Sequence, residues 1–147
     1  MDTYLITGGA GFIGSNYIRY LLERYNSIKI ICLDKLTYAG NIANIESELI
    51  SNKNRLMFIK GDICNQELVQ FIFANYPIKY VVNFAAESHV DRSILDADLF
   101  LKTNIFGVQN LLKFAKNTWQ LGEEKYLDGV RFLQVSTDEV YGSSQGD

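Results

Sequence analysis

The sequence predicts an α/β domain built on a doubly wound parallel sheet, and three observations predict it. A glycine turn joins an apolar run to a helical pattern, strand-like and helix-like segments alternate five times, and an acidic residue closes the second strand. The first strand is the run Tyr4-Leu5-Ile6. It leads into Thr7-Gly8-Gly9-Ala10-Gly11-Phe12-Ile13-Gly14, whose glycines at 8, 11 and 14 stand three apart. That spacing permits a tight turn, close approach of backbone to a pyrophosphate and tight packing of helix on strand. The unpaired N–H groups of the helix start then face the phosphates. Asp34 ends the next apolar run, Ile28 to Leu33, twenty residues beyond Gly14. An acid there can accept hydrogen bonds from a ribose diol, a pattern that favours NAD over NADP.

The remaining elements follow in order. A helix from about Phe12 to Glu23 carries Ile13, Tyr17 and Leu21 on one row and Ile18 and Leu22 on the next. After the polar loop Lys35 to Asn41, a short helix near Asn44 to Ile50 leads to a third strand, Arg55 to Ile59, closed by Gly61-Asp62. Asn65 can cap a helix with Leu68, Val69, Phe71 and Ile72 facing inward, and Pro77 prevents its continuation. Strand four is Tyr80 to Phe84. A long helix from about Asp96 shows Ala97, Leu101, Ile105, Val108, Leu112, Ala115 and Trp119 at steps of three and four, with Gly122 near its end. A charged loop precedes strand five, Val130 to Val135. Right-handed crossovers and the dinucleotide rule give strand order 3-2-1-4-5.

Composition bounds the rest. A chain of 147 residues with 48% apolar and 21% charged residues suits one globular domain, so residues 1–147 read as a single Rossmann-type dinucleotide-binding domain. A net charge of -3 without a lysine or arginine cluster argues against nucleic acid as a partner. No apolar run approaches membrane-spanning length and no signal-peptide pattern precedes the first strand, so the expected place is the cytoplasm. Cys32 and Cys64 read as reduced structural thiols, and a single histidine, His89, leaves no metal-ligand pattern.

Ligands of such sheets bind at the carboxyl ends of the strands. Asp34 with the Thr37-Tyr38 loop, and Asp62-Ile63, should line an adenosine half. Ala85-Ala86-Glu87-Ser88 and Ser136-Thr137-Asp138-Glu139 should line a nicotinamide and substrate half. Asp138 and Glu139 are adjacent, and in a strand they would point to opposite faces, so they can share one pocket only where the strand has ended. There, one acid and one carboxylate can give and take a proton on the same substrate; the alternative is a capping pair at a helix start. His89 and the tyrosines Tyr17 and Tyr38 read as hydrogen-bonded, packing or surface residues.

These segments together resemble the extended short-chain dehydrogenases, and within them the dTDP-glucose 4,6-dehydratase family. The resemblance is carried by Gly8 to Asn16, Asp34 to Asn41, Gly61 to Ile63, Asn83 to Ser93, Thr103-Asn104 and Val135 to Gly142. It implies that NAD is held by Phe12 and Ile13, by Asp34, Lys35, Leu36 and Thr37, by Asp62 and Ile63, by Phe84, Ala85 and Ala86, and by Ser88 and Thr103. It implies a nucleotide sugar, dTDP-glucose, touched by Ser88 and Thr137, with Glu139 as base and Asp138 as acid. The implied reaction oxidises carbon 4, eliminates water across carbons 5 and 6, and returns the hydride to carbon 6. A homodimer through long helices is implied as well.

The sequence departs from that pattern in one respect. The Tyr-x-x-x-Lys pair of the family is expected downstream of Asp147, together with the carboxy-terminal substrate domain, so the chain is expected to be an inactive, cofactor-binding part. One formal match, Tyr25 to Lys29, leads into strand two and so belongs to the amino edge of the sheet. Two other readings stay open: a nucleotide-sugar 4-epimerase of the same superfamily, and a non-catalytic NAD-binding module.

Overall fold

In a computed structural model of the protein, residues 1–89 and 96–142 are described, Asp138 and Glu139 by their backbone alone. The strands are β1 (Asp2–Thr7), β2 (Ile28–Asp34), β3 (Leu56–Lys60), β4 (Ile78–Asn83), a short antiparallel hairpin of β5 (Gln120–Gly122) and β6 (Lys125–Tyr126), and β7 (Arg131–Gln134). The main sheet is parallel throughout, in the order β3-β2-β1-β4-β7. Since β7 is the fifth strand of that sheet, this is the expected 3-2-1-4-5 order. The hairpin occupies what reads in sequence as a charged loop.

Both faces of the sheet are covered, and the period of two along each strand sorts the side chains between them. Leu5, Ile31, Leu33 and Val81 face a layer built by Val69, Ile72, Leu111 and Trp119. Ile6, Ile30 and Cys32 face the opposite layer, where Ile18, Leu21 and Leu22 pack. Each fully buried Leu or Ile contributes about 1.5–3 kcal/mol from apolar burial.

Helix α1 (Phe12–Arg24) buries Gly14, Ser15, Ile18, Leu21 and Leu22. Ile13, expected in the buried row, is exposed, because glycine and serine are the residues of the first turn that lie against the sheet. After α2 (Glu46–Ser51), helix α3 (Gln66–Asn75) starts where Asn65 Oδ1 accepts the Leu68 N–H at 3.0 Å. It buries Val69, Ile72 and Phe73 and leaves Phe71 exposed.

The long helix expected from Asp96 is interrupted. Asp96 Oδ1 accepts the Leu99 N–H and caps α4 (Ala97–Leu101), a π-helical turn spans Lys102–Gly107, and α5 covers Val108–Trp119. Gly107, Leu111, Phe114, Ala115 and Trp119 are buried, Ala115 and Trp119 as expected, while Leu101, Ile105 and Leu112 of the expected inward row lie exposed. Trp119 anchors the far end, its Nε1 donating to the Ile78 carbonyl at 2.8 Å.

Candidate functional site

The chain steps from β1 to β2 and β3 on one side and from β4 to β7 on the other, so a crevice opens at the carboxyl ends of β1 and β4. The glycine turn forms its floor. Gly8 has φ +67°, and a Cβ there would stand 2.6 Å from the Ala85 nitrogen; one on Gly14 would strike the Gly8 carbonyl. Gly11 precedes α1 without a side-chain cap, and the first turn of α1 carries no acid. That helix start is therefore suited to an anion.

Asp34 is buried at the end of β2. Its Oδ2 accepts the Ala10 N–H at 2.9 Å and its Oδ1 accepts the Leu36 N–H at 2.8 Å. The acid thus ties the glycine turn to the loop after β2, and each oxygen retains a further lone pair for a ribose hydroxyl. Leu36 makes its turn with φ +56°.

Lys35 Nζ lies 2.8 Å from Asp62 Oδ2, and Asp62 Oδ1 accepts the Cys64 N–H at 2.9 Å. Burial pushes the Asp62 carboxyl up, but the hydrogen bonds from Lys35 and Cys64 outweigh it and hold the acid below its ordinary value. The same contact raises the Lys35 ammonium. Burial pushes the Cys64 thiol up to about 11 and the Cys32 thiol up to about 12, so both behave as inert thiols. Above the loops, the Tyr38 and His89 rings meet edge to face with centroids 6.1 Å apart.

Of the expected residues, Gly8, Gly11, Asp34, Lys35 and Thr37 line the crevice from the β1 and β2 side. Asp62 and Ile63 line it from the end of β3, and Phe84, Ala85, Ala86 and Thr103 complete the lining. Five expected cofactor residues stand apart from its walls: Phe12 and Ile13 are exposed on the first turn of α1, Gly14 packs beneath Gly8, Leu36 shapes the turn, and Ser88 lines the adjoining pocket instead. Glu87 lines it as expected from its place after β4, and Ala39 and Gly40 join the lining without having been singled out by position.

A second pocket continues from the first across Ala85, Ala86 and Glu87 to the end of β7, and it brings Ser88 and Thr137 together with Asn104, Gln134 and Ser136. Asn104 comes from the π-helical turn. Its Oδ1 accepts the Glu87 N–H at 2.9 Å and its Nδ2 donates to the Glu87 carbonyl at 2.8 Å. The backbone of Asp138 and Glu139 has left the strand and forms a 3-10 turn, Asp138–Tyr141. Their side chains, and Val90 to Ser93, lie outside the described residues. Among the described residues no group of His, Cys, Asp or Glu could hold a metal ion, and no helix is long and apolar enough to cross a membrane.

A parallel sheet wound in both directions from β1, with a glycine turn and an acid-ended β2 at the switch point, defines the dinucleotide-binding class of α/β domains. The chain belongs to the GDP-mannose 4,6 dehydratase family, whose profile matches residues 5–147. It is 45% identical over 143 residues to the dTDP-glucose 4,6-dehydratase of Xanthomonas campestris pv. campestris (strain B100), a match covering 97% of this chain and 40% of that protein. The chain therefore spans about 40% of the length of such relatives. Among solved structures it is similar to the dTDP-glucose 4,6-dehydratase DesIV of Streptomyces venezuelae, solved with NAD and TYD bound. The identity is 43% and the TM-score 0.82, over 99% of this chain and 42% of that one. A UDP-Glc/GlcNAc 4-epimerase of Campylobacter jejuni superposes equally well, at 26% identity and TM-score 0.83, over 99% of this chain and 40% of that one. Fold alone thus does not separate the two chemistries.

Proposed function

We propose that this chain is the NAD-binding domain of a dTDP-glucose 4,6-dehydratase. The reading rests above all on one observation: the crevice gathers the glycine turn, Asp34 and Asp62, and runs on past Ala85 to Glu87 into a pocket containing Ser88 and Thr137. The likeness to dTDP-glucose 4,6-dehydratases, solved with NAD bound, supports the same cofactor and substrate.

In this reading the pyrophosphate rests on the helix start at Gly11, Phe12, Ile13 and Gly14, and the adenosine ribose hydrogen-bonds to Asp34. Lys35, Leu36, Thr37, Asp62 and Ile63 enclose the adenosine, while Phe84, Ala85, Ala86, Ser88 and Thr103 carry the nicotinamide half. NAD held there would supply the hydride acceptor for oxidation at carbon 4 and the hydride donor for reduction at carbon 6. Ser88 and Thr137 orient the sugar. Oxidation at carbon 4 acidifies the proton on carbon 5, Glu139 removes it, and Asp138 protonates the departing hydroxyl. An adjacent carboxylate favours the protonated form of an acid, which suits Asp138 to its role.

Within these 147 residues the Tyr-x-x-x-Lys spacing occurs only at Tyr25, which ends α1, and Lys29, in β2. That is the amino edge of the sheet, so these residues by themselves bind NAD without turnover. The exposed stripe Leu101, Ile105 and Leu112 supports a homodimer through the helices, and in this reading the enzyme works in the cytoplasm.

Incubating the chain with NAD and dTDP-glucose, with product analysis by mass and by proton NMR of the sugar, tests the reading. Unchanged substrate alongside measurable NAD binding is expected. A product lighter by one water would overturn the inactivity while supporting the dehydratase. A product of unchanged mass inverted at carbon 4 would point to the epimerase.

A further inference from the structure

Glu87 is 7% exposed, and its Oε2 is buried without a hydrogen-bond partner among the described residues. A carboxylate removed from water in this way is costly unless a donor or a positive charge comes to it. Its position is fixed from outside: Asn104 grips the Glu87 backbone at both its N–H and its carbonyl, at 2.9 and 2.8 Å. The grip comes from the π-helical turn Lys102–Gly107, a feature that recurs at functional sites. Lys35 senses the charge of Glu87 but has its hydrogen bond with Asp62.

Glu87 lines both the crevice that holds Asp34 and the pocket that holds Ser88 and Thr137. A dinucleotide with its adenosine at Asp34 therefore brings its far nucleoside alongside this carboxylate. That nucleoside's ring is cationic when oxidised and neutral when reduced. We propose, resting on the NAD reading above, that Glu87 sets the redox preference of the site: its buried carboxylate, with Oε2 lacking a hydrogen-bond partner, stabilises the oxidised nicotinamide ring over the reduced one. The resting site then holds the hydride acceptor rather than the spent donor.

The test is titration of the chain with oxidised NAD and with NADH, for the wild type and for Glu87→Gln, with folding checked by circular dichroism. The wild type prefers oxidised NAD by about tenfold, and Glu87→Gln narrows that ratio by about fivefold or more. Glutamine keeps the shape and one acceptor oxygen and removes the charge, so a purely structural role would not move the ratio. An unchanged ratio, or equal weakening toward both forms, overturns the proposal and leaves the NAD reading intact. A folded wild type that binds neither form sinks both. Should Glu87→Gln fail to fold, the wild-type ratio decides: a tenfold preference sustains the proposal and equal affinities overturn it.

Discussion

The Asp34 carboxylate accepts the Ala10 N–H at 2.9 Å, so the acid that ends β2 also fastens the glycine turn that follows β1. One side chain thereby shapes the crevice and stays available to a ribose. Asp34→Ala leaves the Ala10 and Leu36 amides without this acceptor, a loss of about 2–4 kcal/mol in unfolding free energy. Asp34→Asn keeps one acceptor and costs less. Denaturant unfolding of both variants checks the order.

A second polar strut runs beneath the crevice. The Thr7 hydroxyl donates to Asn83 Oδ1, and Asn83 Nδ2 donates to Gln134 Oε1 at 2.8 Å, joining the ends of β1, β4 and β7. Asn83 is fully buried. Asn83→Leu strands the Thr7 hydroxyl beneath the crevice and should cost about 2–3 kcal/mol, again read by denaturant unfolding. An unaffected Asn83→Leu protein would mean that the strut adds nothing to the packing around it.

Much of this fold is legible from local chemistry. The glycine spacing, the acid at Asp34, the Asn65 cap and the helix start at Asp96 each depend on chemistry within a few residues, and each appears where the sequence places it. The inward row of the long helix appears only in part, with Ala115 and Trp119 buried. Leu101, Ile105 and Leu112 keep helical spacing yet lie exposed, and a π-helical turn that the spacing does not announce spans Lys102–Gly107, where Asn104 holds the Glu87 backbone. The Lys35 and Asp62 pair and the unpaired Glu87 oxygen were hidden for the same reason, because they join segments 27 and 17 residues apart. In the site, Asp34, Glu87 and Thr137 can be read from their places at strand ends, whereas the burial of the Glu87 carboxyl between two adjoining pockets emerges only from the folded crevice.

The titrating groups set the pH range. Asp62 is held below its ordinary value of 3.8, so its contribution is present above that pH and is lost as pH falls through the lower folded value. The ion pair with Lys35 is half exposed and contributes under about 1 kcal/mol, so the acid limb should be shallow. Cys32 behaves oppositely in pH. Its thiol is raised from 9.0 to about 12, so the unfolded chain ionises first and stability falls above pH 9. That fall is about 1.4 kcal/mol per pH unit from this group alone. Thermal melting across pH should show a steeper alkaline than acid limb, and Cys32→Ala should flatten the former.

Gly14→Ala pushes a methyl group against the Gly8 carbonyl, which is backbone and cannot swing aside. The substitution should displace the turn, cost about 2–4 kcal/mol and abolish dinucleotide binding. Gly142→Ala, by contrast, meets nothing within 4 Å, although its φ of +73° adds a small local strain. Its dinucleotide affinity should be unchanged.

Calorimetric titration of the folded chain with NAD tests the central claim most directly. One saturable site per chain is expected, lost in Gly14→Ala and weakened in Asp34→Ala. A chain that is folded by circular dichroism yet releases no binding heat with NAD, and shows no protection of Asp34 or Gly11 amides on its addition, would contradict it.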